Sequence, residues 1–458
     1  MEGVGLPDAL PRTLGERTKV FEAACDLSST KTAFARISPR PPHMKKPHAA
    51  GLGGAPETGK ITWKWGKTMT TSAHPGFRIF ILGAGFSRPA GLPLASQLYL
   101  AVRALIEGRH GTDTKFDRDL NYYLRYCDDC GFTGQTKDAL DLELFMSYLD
   151  IEHYLQLRGS DTWSREGNES QLMIRRAIGK VIHDGTPAAN KLPGYYYKFA
   201  EMLSPRDIVL TFNYDLVLEH ALTQVGKRFR RYPHRFTSVN EYGGTLDSDT
   251  EEVVLLKLHG SLDWFDDSQF LESRRSLQAK GLDKTGLHSV FDDPKRYGVK
   301  PLVEGMLPPN DPLVHLHAIQ DVSRYYSQDG GFNAPFILSP SHVKFVYASP
   351  IMNLWNGLGR AGGYNLGVSV VGFSLPPHDE YIRIGLHQML NNYASWWDSP
   401  MLGVLKDYAR FVDYKPEQAD QKAYIDRYRF AGADRSRFFF DGFGPDALAF
   451  LFNQPRVE

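Results

Sequence analysis

From Phe77 onward, short apolar runs recur at long intervals: Phe77 to Leu82, Asp207 to Phe212, Glu252 to Leu258, Pro335 to Leu338 and Leu366 to Phe373, with Tyr408 to Tyr414 a weaker sixth. They are rich in β-branched or aromatic residues, and a continuous apolar run of this length reads as a strand buried on both faces. The gaps between them far exceed a hairpin loop. Parallel strands joined by helical crossovers are the economical solution. The pattern therefore predicts the α/β class, an open parallel sheet of about six strands flanked by helices.

The first two runs lie more than a hundred residues apart, where a crossover needs only about a dozen. In that interval Ala139 to Leu157 and Gln171 to Ile182 repeat apolar residues at spacings of three and four, the period of a helix with one buried face. A helical insertion over about residues 95–200 is expected inside a domain spanning 77–458. A bare strand-and-crossover fold does not need it, so it is expected to cap the site or to mediate assembly. The stretch from Asp266 to Val314 is polar and without a clear period.

Residues 1–76 hold 9 glycines and 8 prolines in short polar blocks. Such a segment buries too little apolar surface to order itself, and a flexible tail is expected; Met69, just ahead of the first strand, is an alternative start. The whole chain of 458 residues is 42% hydrophobic and 23% charged, an ordinary globular composition. Its 53 basic and 53 acidic residues cancel, but the tail holds 11 and 6 of them, leaving 42 and 47 in the rest. That body has no general field for polyanions, so direct nucleic-acid binding is not expected. Three cysteines, Cys25, Cys127 and Cys130, make no disulfide framework and point to a reducing, cytoplasmic setting. No apolar run approaches the roughly 18 residues a membrane span needs, and the first residues do not read as a secretion signal. Cys127-Asp128-Asp129-Cys130 is half a zinc knuckle without its second half, and no metal site is expected.

Polar and glycine residues gather where the predicted strands end, the edge at which open α/β sheets hold ligands. Gly83-Ala84-Gly85-Phe86-Ser87 follows the first strand; it suits either a phosphate-cradling loop or a plain strand-to-helix turn. The third glycine of a dinucleotide fingerprint is replaced by Arg88. Asn213 and Asp215 follow the second strand, where they suit either orienting a ribose or water or capping a helix that begins near Leu216. His259, in Lys257-Leu258-His259-Gly260-Ser261, is the natural general base near neutral pH, although a lone histidine is more often structural. Gly372 and Ser374 stand at the end of the Leu366 to Phe373 run, and Asp379 suits the cap of a helix over Glu380 to Leu390. Asp413 ends the last strand and is the least specific.

In this order, the glycine turn, Asn213-Tyr214-Asp215, His259-Gly260-Ser261 and Gly372-Phe373-Ser374 resemble the sirtuin (silent information regulator) superfamily of NAD-consuming enzymes with its Rossmann-like sheet. Thr211 to Asp215, Val371 to Asp379 and Phe438 to Phe443 are similar to its bacterial NAD+ hydrolase branch, known from antiphage defence. The resemblance implies a regulated NADase of abortive infection, with Asn213 and His259 as catalytic pair. By it Asp215 helps hold the nicotinamide end, while Gly83, Ala84, Gly85, Ser87, Gly372 and Ser374 bind pyrophosphate and riboses; Asp413 is a candidate for the adenine or ribose. It further implies NAD+ as substrate, a homo-oligomer, and an activating partner such as an ATPase, an Argonaute-type protein or a phage component. The four-cysteine zinc module of deacylating sirtuins is missing, which disfavours the alternative of a protein deacylase. A non-catalytic NAD or ADP-ribose sensor would not need both Asn213 and His259.

Overall fold

Among the described residues, seven strands hydrogen-bond side by side: β1 (Arg78–Leu82), β2 (Ile208–Thr211), β3 (Phe229–Arg230), β4 (Val253–Lys257), β5 (Gly367–Val371), β6 (Ala409–Val412) and β7 (Ser436–Phe439). Their order is β7-β6-β5-β1-β2-β4-β3, and every neighbouring pair is parallel. The α/β open sheet that the apolar runs predict is thus present. The computed structural model describes residues 77–452 apart from 159–163, 241–242, 248, 283–288, 329–332, 359–364, 377–378 and 398–405. The tail expected over residues 1–76 lies outside the described residues.

The apolar character of the strands follows from their place. All five residues of β4 and of β5 are buried, because successive side chains leave opposite faces and both faces are covered. Phe80, Leu82, Val209, Leu255 and Val371 pack into one core, whereas Ile79, Ile81, Leu210, Leu256 and Val370 pack into the other.

Among the described residues, five helices longer than two turns separate β1 from β2: α1 (Leu98–His110), α2 (Lys115–Asp129), α3 (Leu142–Tyr154), α4 (Glu169–Gly185) and α5 (Gly194–Met202). The starts of α2 and α4 are fixed by reciprocal capping boxes, Thr114 with Asp117 and Asn168 with Gln171. Cys127 is buried within α2, and Cys130 is exposed at its end. Among the described residues, four further helices follow strands of this sheet: α6 (Val217–Gln224) after β2, α7 (Glu380–Ser395) after β5, α8 (Gln418–Arg427) after β6 and α9 (Pro445–Phe452) after β7.

Two expectations need correction. Pro335 to Leu338 is not a sheet strand; its one β contact is an isolated antiparallel bridge from Ile337 to Gly260. Pro335 brings no N–H to a ladder, and the run instead braces the loop after β4: Leu338 N–H donates to the His259 carbonyl (2.8 Å) and Ser261 N–H to the Phe336 carbonyl (3.0 Å). The sheet is completed by β3 and β7, which the apolar pattern does not mark. The aperiodic stretch after Asp266 also carries order. Trp264–Asp266, Lys300–Pro301 and Leu316–Ala318 form a small antiparallel sheet, and Ser268–Ala279 is a helix without a buried residue.

Candidate functional site

The chain leaves β1 toward β2, β4 and β3, then returns to the other side of β1 for β5, β6 and β7. The carboxyl ends of β1 and β5 therefore flank the point where strand order reverses, the place where open α/β sheets form a ligand crevice. A cleft of about 730 Å³ opens there. Its walls include Gly83, Ala84, Gly85, Ser87, Asn213, Asp215, His259, Gly372, Ser374 and Asp413, so every residue singled out from sequence meets in one place.

The glycines are explained first by backbone packing. Gly83 N–H donates to the Val371 carbonyl (3.0 Å) and Gly85 N–H to the Gly372 carbonyl (2.8 Å), which locks the turn after β1 onto the end of β5. A Cβ on Gly83 would lie 2.6 Å from the Gly372 oxygen, and one on Gly85 2.7 Å from the Gly372 Cα. Gly372 itself has φ +66°, where side chains are strained. Two of the amides expected to face a phosphate are thus engaged within the protein. Ala84 opens the helical turn Ala84–Ser87, so its N–H has no intrahelical acceptor and is the one such amide available to a ligand.

Asn213 does not cap α6. Its Nδ2 donates to the Gly83 carbonyl (2.9 Å) and to Ser87 Oγ (3.1 Å). A carbonyl only accepts, which fixes the orientation of the amide and turns Oδ1 away from these contacts. Ser87 in turn hydrogen-bonds the carboxylate of Asp215. Asp215 also accepts from Val217 N–H (3.0 Å) and so takes the capping role at the start of α6. Burial raises its pKa, against the opposing charge of Lys257. Lys257, fully buried, pairs with Glu219 (3.0 Å) and donates to the Asp215 carbonyl oxygen, bracing the ends of β2 and β4 together.

His259 lies one turn of loop beyond β4, 5% exposed, with its ring 4.9 Å from that of Phe212. Burial, and secondarily the charge of Lys344, hold its pKa well below the ordinary value, so the imidazole is neutral at physiological pH. Its Nε2 is 2.5 Å from the hydroxyl of Tyr381, on the first turn of α7. Beside them Lys344 and Asp379, both buried, form an ion pair at 2.9 Å. Tyr381 and Lys344 were not legible as site residues: the contact between Tyr381 and His259 spans 122 positions of chain, and no local pattern announces it.

Ser374 lines the cleft while its carbonyl accepts from Arg427 (3.1 Å). Asp413 accepts from Tyr414 N–H (2.9 Å) and pairs with Lys415 (3.0 Å). The lining holds five acids, Glu143, Asp215, Asp379, Asp413 and Asp441, against the cations Arg88, Lys344 and Lys415. Leu98 of α1, Glu143 of α3 and Ile182 of α4 also line it, so the helices between β1 and β2 contribute part of its wall. Phe443 closes another side and packs against Phe86, the ring centres 4.5 Å apart and the planes tilted by 42°. Among the described residues no cluster of histidine, cysteine and carboxylate side chains has metal-binding geometry, and no helix is long and apolar enough to cross a membrane.

Comparison with known proteins adds the following. Three solved structures resemble the chain at low similarity. One described as the structural basis of sirtuin substrate affinity has 11% identity and a TM-score of 0.28 over 82% of this chain and 91% of its own. A Sir2Tm structure bound to a propionylated peptide has 11% identity and a TM-score of 0.26. A Sir2 complex with a p53 peptide and NAD+ has 11% identity and a TM-score of 0.27; both of these cover 80% of this chain and 87% of their own. No curated protein matches. Residues 207–289, which hold Asn213, Asp215 and His259, match a family model described as a SIR2-like domain.

Proposed function

We propose that this chain is an NAD+ glycohydrolase: it cleaves the bond between nicotinamide and ribose and releases nicotinamide and ADP-ribose. The reading is carried by the convergence of Asn213 and His259, from neighbouring strand ends, on the cleft where the strand order reverses. The match of that same segment to the SIR2-like domain supports NAD+ as the nucleotide.

Nicotinamide is bound as a pyridinium and leaves neutral, taking the electron pair of the C1′–N bond, so its departure needs no acid. The site must steady an electron-poor ribose and deliver water to C1′. Asn213, held by its Nδ2, presents Oδ1 to orient the ribose or the water. Neutral His259 accepts the proton the water gives up. Because an imidazolium is costly in so buried a place, that proton is passed on as product leaves. The Ala84 N–H and Ser374 contact the pyrophosphate and riboses, and Asp413 the adenosine end.

Unrestrained, such an activity would empty a cell of NAD+. The helices α1, α3 and α4 contribute to the cleft wall, which suits control of the site by this insertion in a regulated effector of antiviral defence that works as an oligomer or with an activating partner. The test is incubation of the purified full chain with NAD+ and chromatography for nicotinamide, ADP-ribose and its cyclic form. His259→Ala and Asn213→Ala should each lower the rate by about 10²–10⁴. Parental rates in both variants would remove the assignment, and turnover only in the presence of an acyl-lysine peptide would replace it with deacylation.

A further inference from the structure

We infer that Tyr381 is the positioning residue of His259: its hydroxyl holds Nε2 from outside the cleft and leaves Nδ1 as the nitrogen that meets the substrate. The inference rests on the glycohydrolase reading and assigns within it which imidazole nitrogen does the work.

Three observations carry it. First, Tyr381 Oη and His259 Nε2 are 2.5 Å apart, a short contact for a hydrogen bond. Second, His259 borders the cleft but Tyr381 does not, so the hydroxyl reaches Nε2 from outside the lining. Third, Tyr381 is itself fixed, its ring 5.5 Å from Trp355 and 6.3 Å from Phe345. An imidazole has two nitrogens. With Nε2 engaged from outside the lining, only Nδ1 remains for a ribose hydroxyl or a water.

The chemistry follows from counting protons. Neutral imidazole carries one. To act as a base at Nδ1, it must bear that proton on Nε2 and donate it to Tyr381 Oη. After Nδ1 takes the proton of water, the Nε2–H still donates to the same oxygen, so no group needs to move during the step. In this arrangement Tyr381 Oη accepts from Nε2–H before and after the transfer, which holds the ring in place and steadies the imidazolium. The hydroxyl stays un-ionised throughout, since burial, with the charge of Asp379 nearby, raises its pKa. Among the described residues, the other titratable groups that face His259 are Tyr214, ring centre 6.4 Å away, and Lys344, whose charge is compensated by Asp379.

Tyr381→Phe keeps the ring packing and removes only the hydroxyl, and a thermal melt of the variant checks that the fold is kept. Two readouts decide. In full-length protein labelled with ¹⁵N-histidine, with the His259 signals identified by their loss in His259→Ala, the parent should show one locked tautomer and Tyr381→Phe should move toward the averaged shifts of an exchanging imidazole. In NAD+ turnover, kcat should fall roughly tenfold, with KM little changed and the acid limb of the pH profile displaced; adding Tyr381→Phe to His259→Ala should cost nothing more. Unchanged nitrogen shifts overturn the inference whatever the activity. So does an unchanged kcat and pH profile in a parent that turns over NAD+. A parent that cleaves no NAD+ under any condition removes the glycohydrolase reading instead, and the nitrogen shifts alone then decide the role of Tyr381.

Discussion

Gly372→Ala tests whether the junction of β1 and β5 is the mechanical centre of the site. An added Cβ would stand 2.2 Å from the Phe86 nitrogen and 2.3 Å from the Gly85 carbonyl carbon, where unstrained contacts lie at about 3.5 Å or more. The neighbours are backbone, so no side chain can swing aside. At φ +66° the residue adds a left-handed penalty of roughly 1–2 kcal/mol, and relieving the overlap by parting the two strand ends costs about 1–3 kcal/mol more. The expected loss is therefore about 2–5 kcal/mol. Gly385 is the internal control: it sits in α7 with nothing within 4 Å of its added Cβ, and alanine there should gain up to about 1 kcal/mol of helix propensity. Urea unfolding followed by far-UV circular dichroism should place the Gly372→Ala midpoint below the parent and the Gly385→Ala midpoint at or above it. Because the strained turn also lines the cleft, calorimetric titration with NAD+ should show weaker binding for Gly372→Ala only. Coincident unfolding curves for Gly372→Ala and the parent would refute the packing argument.

Other expectations are equally direct. Glu219→Ala leaves Lys257 buried without its carboxylate and should cost about 3–5 kcal/mol in urea, with most of it recovered when Lys257→Met is added; a neutral single variant would sink this. Burial pushes the Glu166 carboxyl from near 4.5 up to about 7. Its folded pKa lies above its unfolded one, so stability is fully present below about pH 4.5 and is lost as pH rises through 7. Relative to Glu166→Gln, the parent should weaken across that window, and parallel stability–pH curves would contradict it. A Cβ at Gly179 would meet the Tyr326 hydroxyl at 2.1 Å, so Gly179→Ala should lower the melting temperature, and Tyr326→Phe in the same chain should return part of the loss. An added loss equal to that of Tyr326→Phe alone would argue against the clash.

The strands that form the site were legible because burial on both faces demands mostly apolar residues, as in Val253 to Leu256 and in Val368, Val370 and Val371. Their polar ends were legible for the complementary reason: little but ligand contact or capping explains Asn213 and His259 following such runs. Which of those two roles each residue plays was not. Asp215 does cap, Asn213 does not, and the distinction depends on Gly83 and Ser87, more than a hundred positions away. The two-residue β3 is too short to show a pattern, and it carries an arginine. Ser436 to Phe439 is only partly buried at the sheet edge, so its run is broken by polar residues. Pro335 to Leu338 misled in the opposite way: it is apolar because it lies against the His259 loop, not because it belongs to a sheet.

The central position of β1 also sets the order in which the molecule can be made. Among the described residues β1 is the first strand to be synthesised, yet its partners on either side begin at Ile208 and Gly367. At ribosomal rates of roughly 5–20 residues per second, its second edge waits about 15–60 s for β5. Through that interval an apolar strand stands half-paired, and the junction that shapes the cleft does not exist. Contacts so distant in sequence close slowly, and a polypeptide interrupted before Gly367 lacks the β5 wall of the cleft.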